Sequence, residues 1–508
     1  MWQGADMTGS RRPLWSAGAW LPALALATSA ALGGLAGCSN PASSPVTESP
    51  VTRALLIPPL EDGRVSGDLR TYDLDVQEGT TDFGVGGPTD TYGVNQSYLG
   101  PTLRMTTGDD VRMEVHNGLD TVTTLHWHGM HVPARMDGGP HQLLDPGQTW
   151  SPQWEVRQPA ATLWYHAHPH GQTADQVYRG VAGMILVEDP TGGPDLPDEY
   201  GVDDIPVIVQ DKSFDSDGQL EFDQRGPSST GFLGDTVMVN GTIGAYLDVP
   251  TTRVRLRLLN ASTARIYRFG LSDDRRFDLV GTDGGLLTAP VSLDRIQLSP
   301  GERAEIVVTM TPGETVELRN HSPEFGGRVA GNSRFGTGDY RVLELRAADV
   351  LRQSPEVPVA LASFSRTPES AADRTRTFTI NAQIINRRPV DMGRIDEVVP
   401  LDATEVWVLR NRDPQPHNFH VHTVQFQVLD IDGTAPPPEL TGWKDTVYLA
   451  PGSEVRIIAS FTDYADPSWP YMYHCHLLWH EDSGLMGQFV VVAPGQTPVP
   501  PPDPYGAH

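Results

Sequence analysis

Near the carboxyl end of this 508-residue chain lies the stretch Tyr471-Met-Tyr-His474-Cys475-His476-Leu-Leu-Trp-His480-Glu-Asp-Ser-Gly-Leu485-Met486. It predicts a strand that runs into a turn, and alternate side chains of a strand face opposite ways. His474 and His476 should then share one face, while Cys475 and the returning His480 share the other. Thiolates and imidazoles are both copper ligands. One segment is thus expected to serve two metal sites, unless Cys475 is a buried cysteine flanked by chance histidines.

Three segments of the chain repeat one pattern and predict its architecture. Each is a strand-like run that ends at an asparagine, at Asn117, Asn260 or Asn411, and each is followed by a later Pro-Gly dipeptide. In the first two runs apolar and polar residues alternate, as in half-buried strands. The chain also has 51 Gly and 44 Pro, which favours many turns and short strands. We therefore predict an all-β protein of three sandwich domains.

Histidines recur at matching positions in the first and third copies of this repeat. Sixteen histidines would give about 0.5 His-X-His triplets by chance, whereas the chain contains five. The second copy holds Phe269 and Leu271 where the other two hold histidines. Four triplets form matched pairs: His126 and His128, His166 and His168, His420 and His422, and His474 and His476. We expect the first and third domains to pack together around several metal ions.

A second set of ligand types occurs only in the third copy. His417, Cys475 and His480 supply two imidazoles and one thiolate. This is the ligand set of a blue-copper electron-transfer site. The first copy has Ala167 in place of the cysteine and Thr123 in place of His417, so it should lack such a site.

These motifs resemble those of the three-domain multicopper oxidases, which include laccases, bilirubin oxidases and copper-efflux oxidases. The motifs are His126-Trp-His128-Gly, Trp164-Tyr-His166-Ala-His168, His417-Asn-Phe-His420-Val-His422 and His474-Cys-His476-Leu-Leu-Trp-His480. The resemblance covers the mature chain and implies three cupredoxin-like Greek-key β-sandwich domains. We place these domains at residues 54–192, 193–350 and 375–494, with a linker at 351–374 and a Pro-rich tail at 495–508.

The resemblance also implies four coppers per chain and a role for each ligand. The type 1 copper would be bound by His417, Cys475 and His480, with Leu485 in the axial position. Electrons from a small-molecule donor would enter there, and O2 would be reduced to water at a cluster of three coppers. In that cluster His126 and His420 would bind the type 2 copper, His128, His166 and His476 one type 3 copper, and His168, His422 and His474 the other.

Two acidic residues match positions that serve oxygen chemistry in the family. Oxygen reduction consumes protons, and a carboxyl group near the metal can relay them. Asp137 and Glu481 resemble these relay residues. The alternative for Asp137 is that it only orients the turn before Gly138-Gly139.

Two departures from the family pattern bear on the electron donor. Many bacterial members have a methionine where this chain has Leu485, and copper-efflux oxidases carry methionine-rich segments, whereas residues 353–376 contain no Met. We therefore expect laccase-like oxidation of phenols, aromatic amines or similar one-electron donors. The alternatives are a Cu(I)-oxidising copper-tolerance enzyme, a copper nitrite reductase and a non-catalytic copper protein.

The amino-terminal residues predict export from the cytoplasm. Residues 1–37 combine Arg11-Arg12 with an apolar run and resemble a signal peptide, either twin-arginine or general. The run ends at Cys38 in a pattern resembling a bacterial lipoprotein signal, so we expect a lipid anchor there; an uncleaved membrane anchor is the alternative. Residues 38–53 are predicted to form a tether. The net charge of −27 argues against a nucleic-acid partner, and we expect a monomer.

Overall fold

The computed structural model describes residues 46–223, 230–327, 329, 336–501 and 504. Their regular secondary structure is almost entirely β-strand, which confirms the predicted all-β class. The predicted signal at 1–37, Cys38 and the first part of the tether lie outside the described residues. Among those described, no helix has the length and apolar character needed to cross a membrane. The strands form six sheets, which pair into three sandwiches.

The first sandwich pairs a sheet ordered β10-β7-β4-β3, with β5 on β4 and β9 on β7, with a sheet ordered β2-β6-β12-β11-β8. A 3-10 turn (Ala134–Met136) and helix α1 (Thr173–Arg179) lie in its connections. Strand β1 (Arg53–Ala54) precedes this sandwich in the chain but belongs to the second. The strands of the first are β2 (Leu60–Glu61), β3 (Arg64–Ser66), β4 (Leu69–Thr81), β5 (Thr89–Val94), β6 (Thr102–Thr106), β7 (Asp110–Asn117), β8 (Leu125–His128), β9 (Thr149–Trp150), β10 (Gln153–Glu155), β11 (Ala161–Ala167) and β12 (Ala182–Glu188).

The second sandwich pairs the order β1-β17-β25-β24-β19-β22 with the order β16-β15-β13-β18-β23-β20-β21, and β14 joins β13. Its strands are β13 (Asp204–Phe214), β14 (Leu220–Glu221), β15 (Thr236–Val239), β16 (Thr242–Ile243), β17 (Ala245–Thr251), β18 (Arg253–Asn260), β19 (Tyr267–Leu271), β20 (Phe277–Thr282), β21 (Gly285–Leu293), β22 (Arg295–Leu298), β23 (Arg303–Thr309), β24 (Thr315–His321) and β25 (Tyr340–Arg352).

The third sandwich pairs β27-β26-β29-β33-β31 with β28-β35-β34-β30-β32. Helix α2 (Leu478–Asp482) follows β34, and 3-10 turns lie at Glu369–Ala371 and Pro438–Leu440. The strands are β26 (Arg374–Asn381), β27 (Ile384–Ile385), β28 (Glu397–Pro400), β29 (Thr404–Asn411), β30 (His417–Val421), β31 (Phe426–Ile431), β32 (Thr446–Leu449), β33 (Glu454–Ser460), β34 (Tyr471–His474) and β35 (Met486–Val492).

Alternation of apolar and polar residues gives different results in the first two repeats. In β7 it produces the expected half-buried strand, whose apolar side chains point into the core. In β18 the expectation of a half-buried strand is wrong, because Arg255 and Arg257 are also buried, 8% and 9% exposed. Arg257 pairs with Asp204 (Nε to Oδ1 2.6 Å) and Arg255 pairs with Glu305, so paired charges fill the face that would otherwise meet water.

Residues 46–56 pack on the second sandwich before the chain enters the first. The Thr47 amide donates to the Asp235 carbonyl (2.8 Å), and Glu48 pairs with Arg319 (2.7 Å). Strand β1 then joins β17 in parallel. The last residues of the predicted tether are therefore bound to this domain.

The asparagine that ends each repeated run closes the loop that follows it. Each of the three side chains is 0% exposed, and each makes the same hydrogen bonds. The side-chain oxygen accepts from the amide two residues later, at 2.9–3.1 Å. The amide nitrogen donates to carbonyls of Thr121 and Leu144 from Asn117, of Arg265 and Leu298 from Asn260, and of Gln415, Leu449 and Ala450 from Asn411. The asparagine of the repeat therefore marks a loop-closing contact. This contact does not depend on metal ligation, because the second domain has it too.

Asn260→Ala should accordingly destabilise the second domain without touching a candidate ligand. We expect the free energy of unfolding to fall by about 2 kcal/mol or more, because a buried polar group left without its partner costs about 1–3 kcal/mol. Differential scanning calorimetry of the metal-loaded protein would measure the loss. Thr315→Ala, an exposed change in the same domain, is the control, and an equal effect of both changes would contradict the role of Asn260.

Candidate metal centres

Strand pairing places the predicted histidines side by side. In the first domain β8 and β11 are antiparallel, with His126 opposite His166. In the third domain β30 and β34 are antiparallel, with His420 opposite His474. All eight paired histidines are at most 1% exposed. Alternation along the strands then sends both members of each His-X-His pair to the same side.

The histidines of the first and third domains meet face to face across the boundary between the domains. The rings of His128 and His420 stack with centroids 3.7 Å apart and an 11° angle between planes. Those of His126 and His422 stack at 3.9 Å and 23°. Burial lowers the pKa of His166 to about 3 and that of His168 to about 4. Such rings are neutral at pH 7 and offer a free lone pair.

Ring nitrogens converge at several points within this cluster. The Nε2 atom of His474 lies 3.3 Å from Nε2 of His168 and 3.2 Å from Nε2 of His422. The Nε2 atoms of His166 and His476 are 3.4 Å apart. Three convergent acceptors cannot satisfy one another without a proton or a cation between them.

Backbone carbonyls fix which nitrogen of several rings carries the proton. The Nδ1 atom of His126 donates to the Asp137 carbonyl (2.8 Å), and Nδ1 of His420 donates to the Asp445 carbonyl (2.9 Å). Nδ1 of His166 donates to the Ala167 carbonyl (2.9 Å). A hydrogen bond of this kind leaves Nε2 unprotonated and directed into the cluster.

Both predicted acidic residues touch the cluster. Asp137 Oδ2 accepts from Nδ1 of His422 at 2.7 Å. The Glu481 carboxylate lies 3.2 Å from Nδ1 of His168 and 3.1 Å from Nδ1 of His474. Burial raises the pKa of Asp137 well above its usual value. Burial also opposes ionisation of Glu481, but the adjacent imidazoles outweigh it and lower the pKa of this carboxyl to about 2.

A separate centre surrounds Cys475, on the far side of the same segment. Its Sγ atom lies 3.5 Å from Nδ1 of His417 and 3.5 Å from Nδ1 of His480. Asp413 Oδ2 is 3.1 Å from Nε2 of His417, which directs Nδ1 of that ring at the sulfur. Burial raises the pKa of the Cys475 thiol to about 12, so a thiolate here requires a bound cation.

Leu485 and Met486 lie in different environments. Leu485 is 0% exposed and belongs to the same apolar cluster as Cys475. Its carbonyl accepts from the Cys475 amide (3.1 Å). Met486 pairs with His474 across the strands and packs with Met392 and Met472 instead.

Comparison with known proteins identifies the family. Models described as "Multicopper oxidase" match residues 75–192, 210–317 and 362–495. The chain belongs to the multicopper oxidase family. The predicted membership, cupredoxin-like fold, copper cofactor and oxidoreductase class are thereby confirmed.

Two curated relatives and two solved structures illustrate the similarity of this oxidase to known members in sequence and in fold. "Cell division protein FtsP" of Xenorhabdus nematophila is 39% identical over 86% of this chain and 92% of its own. "Multicopper oxidase mco" of Staphylococcus haemolyticus is 36% identical over 85% and 90%. A Pediococcus acidilactici laccase structure has a TM-score of 0.79 at 33% identity, covering 88% and 95%. The laccase-like multi-copper oxidase CueO of Ochrobactrum sp. also gives 0.79, at 35% identity, covering 86% and 100%.

The donor atoms of the oxidase fit copper. Nε2 of His126, Nδ1 of His128 and Nε2 of His420 are buried and have no hydrogen-bond partner among the described residues. Buried polar atoms are nearly always paired in proteins, and bound metal ions would satisfy all three. Imidazole nitrogen is a common copper ligand. The second group, one thiol between two imidazoles, has the softer donor set that suits a blue-copper centre.

Several residues that shape the oxidase's site were not predicted from the sequence. Asp445 contacts His128 (Oδ1 to Nε2 3.0 Å), and Arg303 contacts Asp445. Asn418 Oδ1 accepts from the His476 amide at 2.6 Å and lies 3.5 Å from Cys475 Sγ. One signal was present, since Lys444, beside Asp445, is one of only two lysines in the chain.

Proposed function

We propose that this multicopper oxidase is laccase-like. It takes single electrons from phenols, aromatic amines or similar donors at a type 1 centre and uses them to reduce O2 to water. The observation that carries the proposal is the position of Cys475, whose Sγ lies 3.5 Å from the Nδ1 atoms of His417 and His480. The neighbours of Cys475 in the chain, His474 and His476, point into the eight-histidine cluster, so one covalent segment links both centres.

The ligand assignment follows the donor groups described above. We assign the type 1 copper to His417, Cys475 and His480, with Leu485 as the axial residue. Bound copper would supply one-electron transfer at this centre and O2 reduction at the other three ions. We assign type 2 to His126 and His420, and the two type 3 ions to His128, His166 and His476 and to His168, His422 and His474.

The chain's own residues would orient the ligands and deliver protons. Reducing one O2 to two waters consumes four electrons and four protons, and each oxidised phenol supplies one electron and one proton. Asp137 Oδ2 and the Glu481 carboxylate both contact ring nitrogens of the cluster, so we assign proton delivery to these two side chains. His417 and His480 are 0% exposed, which keeps water away from Cys475.

Two rival functions, a non-catalytic copper protein and a Cu(I) oxidase, have less support. Some relatives are named as cell division proteins, but this chain retains every expected histidine, which favours an oxidase over a non-catalytic protein. The absence of Met from residues 353–376 favours an organic donor over Cu(I).

Oxygen uptake with different donors tests the proposed function. We expect O2 consumption with a methoxyphenol or an aromatic amine to exceed that with bilirubin or Cu(I). Faster turnover of Cu(I) than of any organic donor would replace the laccase assignment by that of a copper-tolerance oxidase. Anaerobic nitrite turnover without O2 uptake would indicate a nitrite reductase instead.

Cys475→Ser should remove the blue absorption and the oxidase activity together, because no other described residue offers a thiolate. Metal analysis of wild type should give four coppers per chain, and one copper or none would contradict the assignment.

Cys38→Ser is the matched control. It should keep the blue band but release the protein from the membrane fraction, since we propose that the exported chain is lipid-anchored at Cys38 and otherwise a monomer.

Asp137→Asn should keep the blue copper and its reduction by donors but slow reoxidation by O2. The amide retains an oxygen that can accept from His422, so the ring stays in place, but it cannot carry a proton. Stopped-flow reoxidation at several pH values measures the effect, with exposed Asp120→Asn as the control. Unaltered kinetics would leave Asp137 only the structural role of orienting the turn.

Leu485→Met should lower the reduction potential of the blue copper. A thioether donates electron density and stabilises Cu(II), whereas leucine has no donor atom. Met486→Leu should change the potential little, because Met486 packs with Met392 and Met472 rather than with Cys475. Redox titration of the blue band in both variants is the measurement, and a large shift in Met486→Leu alone would identify Met486 as the axial residue.

A further inference from the structure

The second domain reaches the histidine cluster although the described residues of this domain include none of the candidate ligands. Contact is made by the turn Ser299-Pro-Gly-Glu-Arg303, which contains the Pro-Gly dipeptide of the repeat. Gly301 has φ +86°, and a Cβ atom added there would lie 3.1 Å from the His476 ring. Ser299 and Pro300 accept hydrogen bonds from Asn418, between His417 and the cluster (3.0 and 2.8 Å). This turn is thus packed directly against the cluster, and it binds Asn418, whose Oδ1 lies 3.5 Å from Cys475 Sγ.

Arg303, at the end of the turn, is 1% exposed and uses every donor it has. Its terminal nitrogens form a two-pronged contact with Asp445, at 2.8 Å to Oδ1 and 2.6 Å to Oδ2. The remaining hydrogens go to the carbonyls of Thr162 (3.1 Å), Gly301 (2.9 Å) and Asp283 (2.9 Å). Arg303 therefore holds residues of all three domains in one fixed geometry.

Asp445 in turn accepts hydrogen bonds from two rings of the cluster. Its Oδ1 accepts from Nε2 of His128 (3.0 Å), which leaves Nδ1 of that ring as the unprotonated, inward atom. Its backbone carbonyl accepts from Nδ1 of His420 (2.9 Å). The two rings are stacked at 3.7 Å, so a shift of Asp445 moves both. Lys444 is held alongside by Asp283 (3.0 Å) and Glu302 (2.8 Å) of the second domain.

We propose that Arg303 is a positioning residue for the trinuclear copper site. It acts from the second domain by holding Asp445, which sets the tautomer of His128 and the orientation of His420. The proposal rests on the assignment of these two histidines as ligands under the proposed function. Within the described residues, the hydrogen bonds of Arg303 reach no candidate histidine ligand directly, and we assign its effect on the two rings to Asp445.

A purely structural ion pair at the same domain boundary provides the comparison. Arg257 is also buried, pairs with Asp204 (2.6 and 2.8 Å) and contacts Thr162 (2.7 Å) of the first domain. Among the described residues, its hydrogen bonds and ion pairs include none with a candidate ligand. Removing either arginine should destabilise the protein, because the carboxylate left behind is buried without its partner, but only Arg303 should affect the metal.

The experiment compares copper-loaded Arg303→Gln, Arg257→Gln and wild type. Blue absorption reports the type 1 centre and the folded state, while electron paramagnetic resonance reports the type 2 copper, and loss of copper to a chelator reports retention. We expect Arg303→Gln to keep the blue band, to change the type 2 hyperfine splitting and to hold that copper about 10–100-fold more weakly, the usual effect of removing a residue that supports a metal ligand. Arg257→Gln should match wild type in all three.

The outcomes distinguish a failure of the role proposed for Arg303 from a failure of the ligand assignment. If Arg303→Gln and Arg257→Gln have the same type 2 signal and copper retention, the inference is wrong. If Arg303→Gln loses the blue band as well, Asp445→Asn becomes the deciding variant. Its amide keeps the size of the carboxylate but presents a donor to Arg303 or to His128, so an unchanged type 2 copper would overturn the proposal. A wild type with a blue centre but no type 2 copper would overturn the ligand assignment, and this inference with it.

Discussion

Eight buried imidazole rings, four from each of two domains, impose the constraint on which the rest of this structure depends. Their lone pairs converge within a site at most 1% exposed to water, and several nitrogens have no hydrogen-bond partner among the described residues. Bound cations would pair these atoms, and buried unpaired polar atoms are otherwise costly. Copper bound by the cluster would therefore couple metal affinity to the packing of the first and third domains.

The two centres are close because one segment of backbone belongs to both. His474 ends strand β34 while His480 sits on the short helix α2, so Cys475 and His476 lie where the chain changes direction. Cys475 faces the apolar core of the third domain, and its neighbours face the first domain. An electron arriving at the sulfur would have only the Cys475 backbone to cross before reaching a ligand of the cluster. Neither centre could move without disturbing the other.

In the described part of the chain, three carboxyl groups contact rings of the cluster, and one of them is paired with an arginine from the second domain. Carboxylates on two sides, Asp137 and Glu481, touch ring nitrogens directly. On a third side Asp445 is neutralised by Arg303 of the second domain, so its contact with His128 is fixed rather than mobile. The second domain holds Phe269 and Leu271 in its own core at the positions of candidate ligands in the other two, yet its turn at 299–303 packs against the site. The loop-closing asparagine is thus present in all three domains, and the candidate ligand histidines in two.

The sequence by itself determined the all-β class, the three repeats and the types of ligand. These follow from local patterns, since alternation places His-X-His pairs on one face and the asparagine spacing marks each loop. The sequence misled at β18, where alternating arginines predicted an exposed face, because Arg255 and Arg257 are buried in ion pairs with Glu305 and Asp204. Tertiary structure alone decided which nitrogen of each ring points inward, which rings stack, and that Arg303 supports the cluster. His128 and Asp445 are separated by 317 positions, and no local periodicity encodes a contact between side chains of different domains, because such a contact depends on how the finished sandwiches pack.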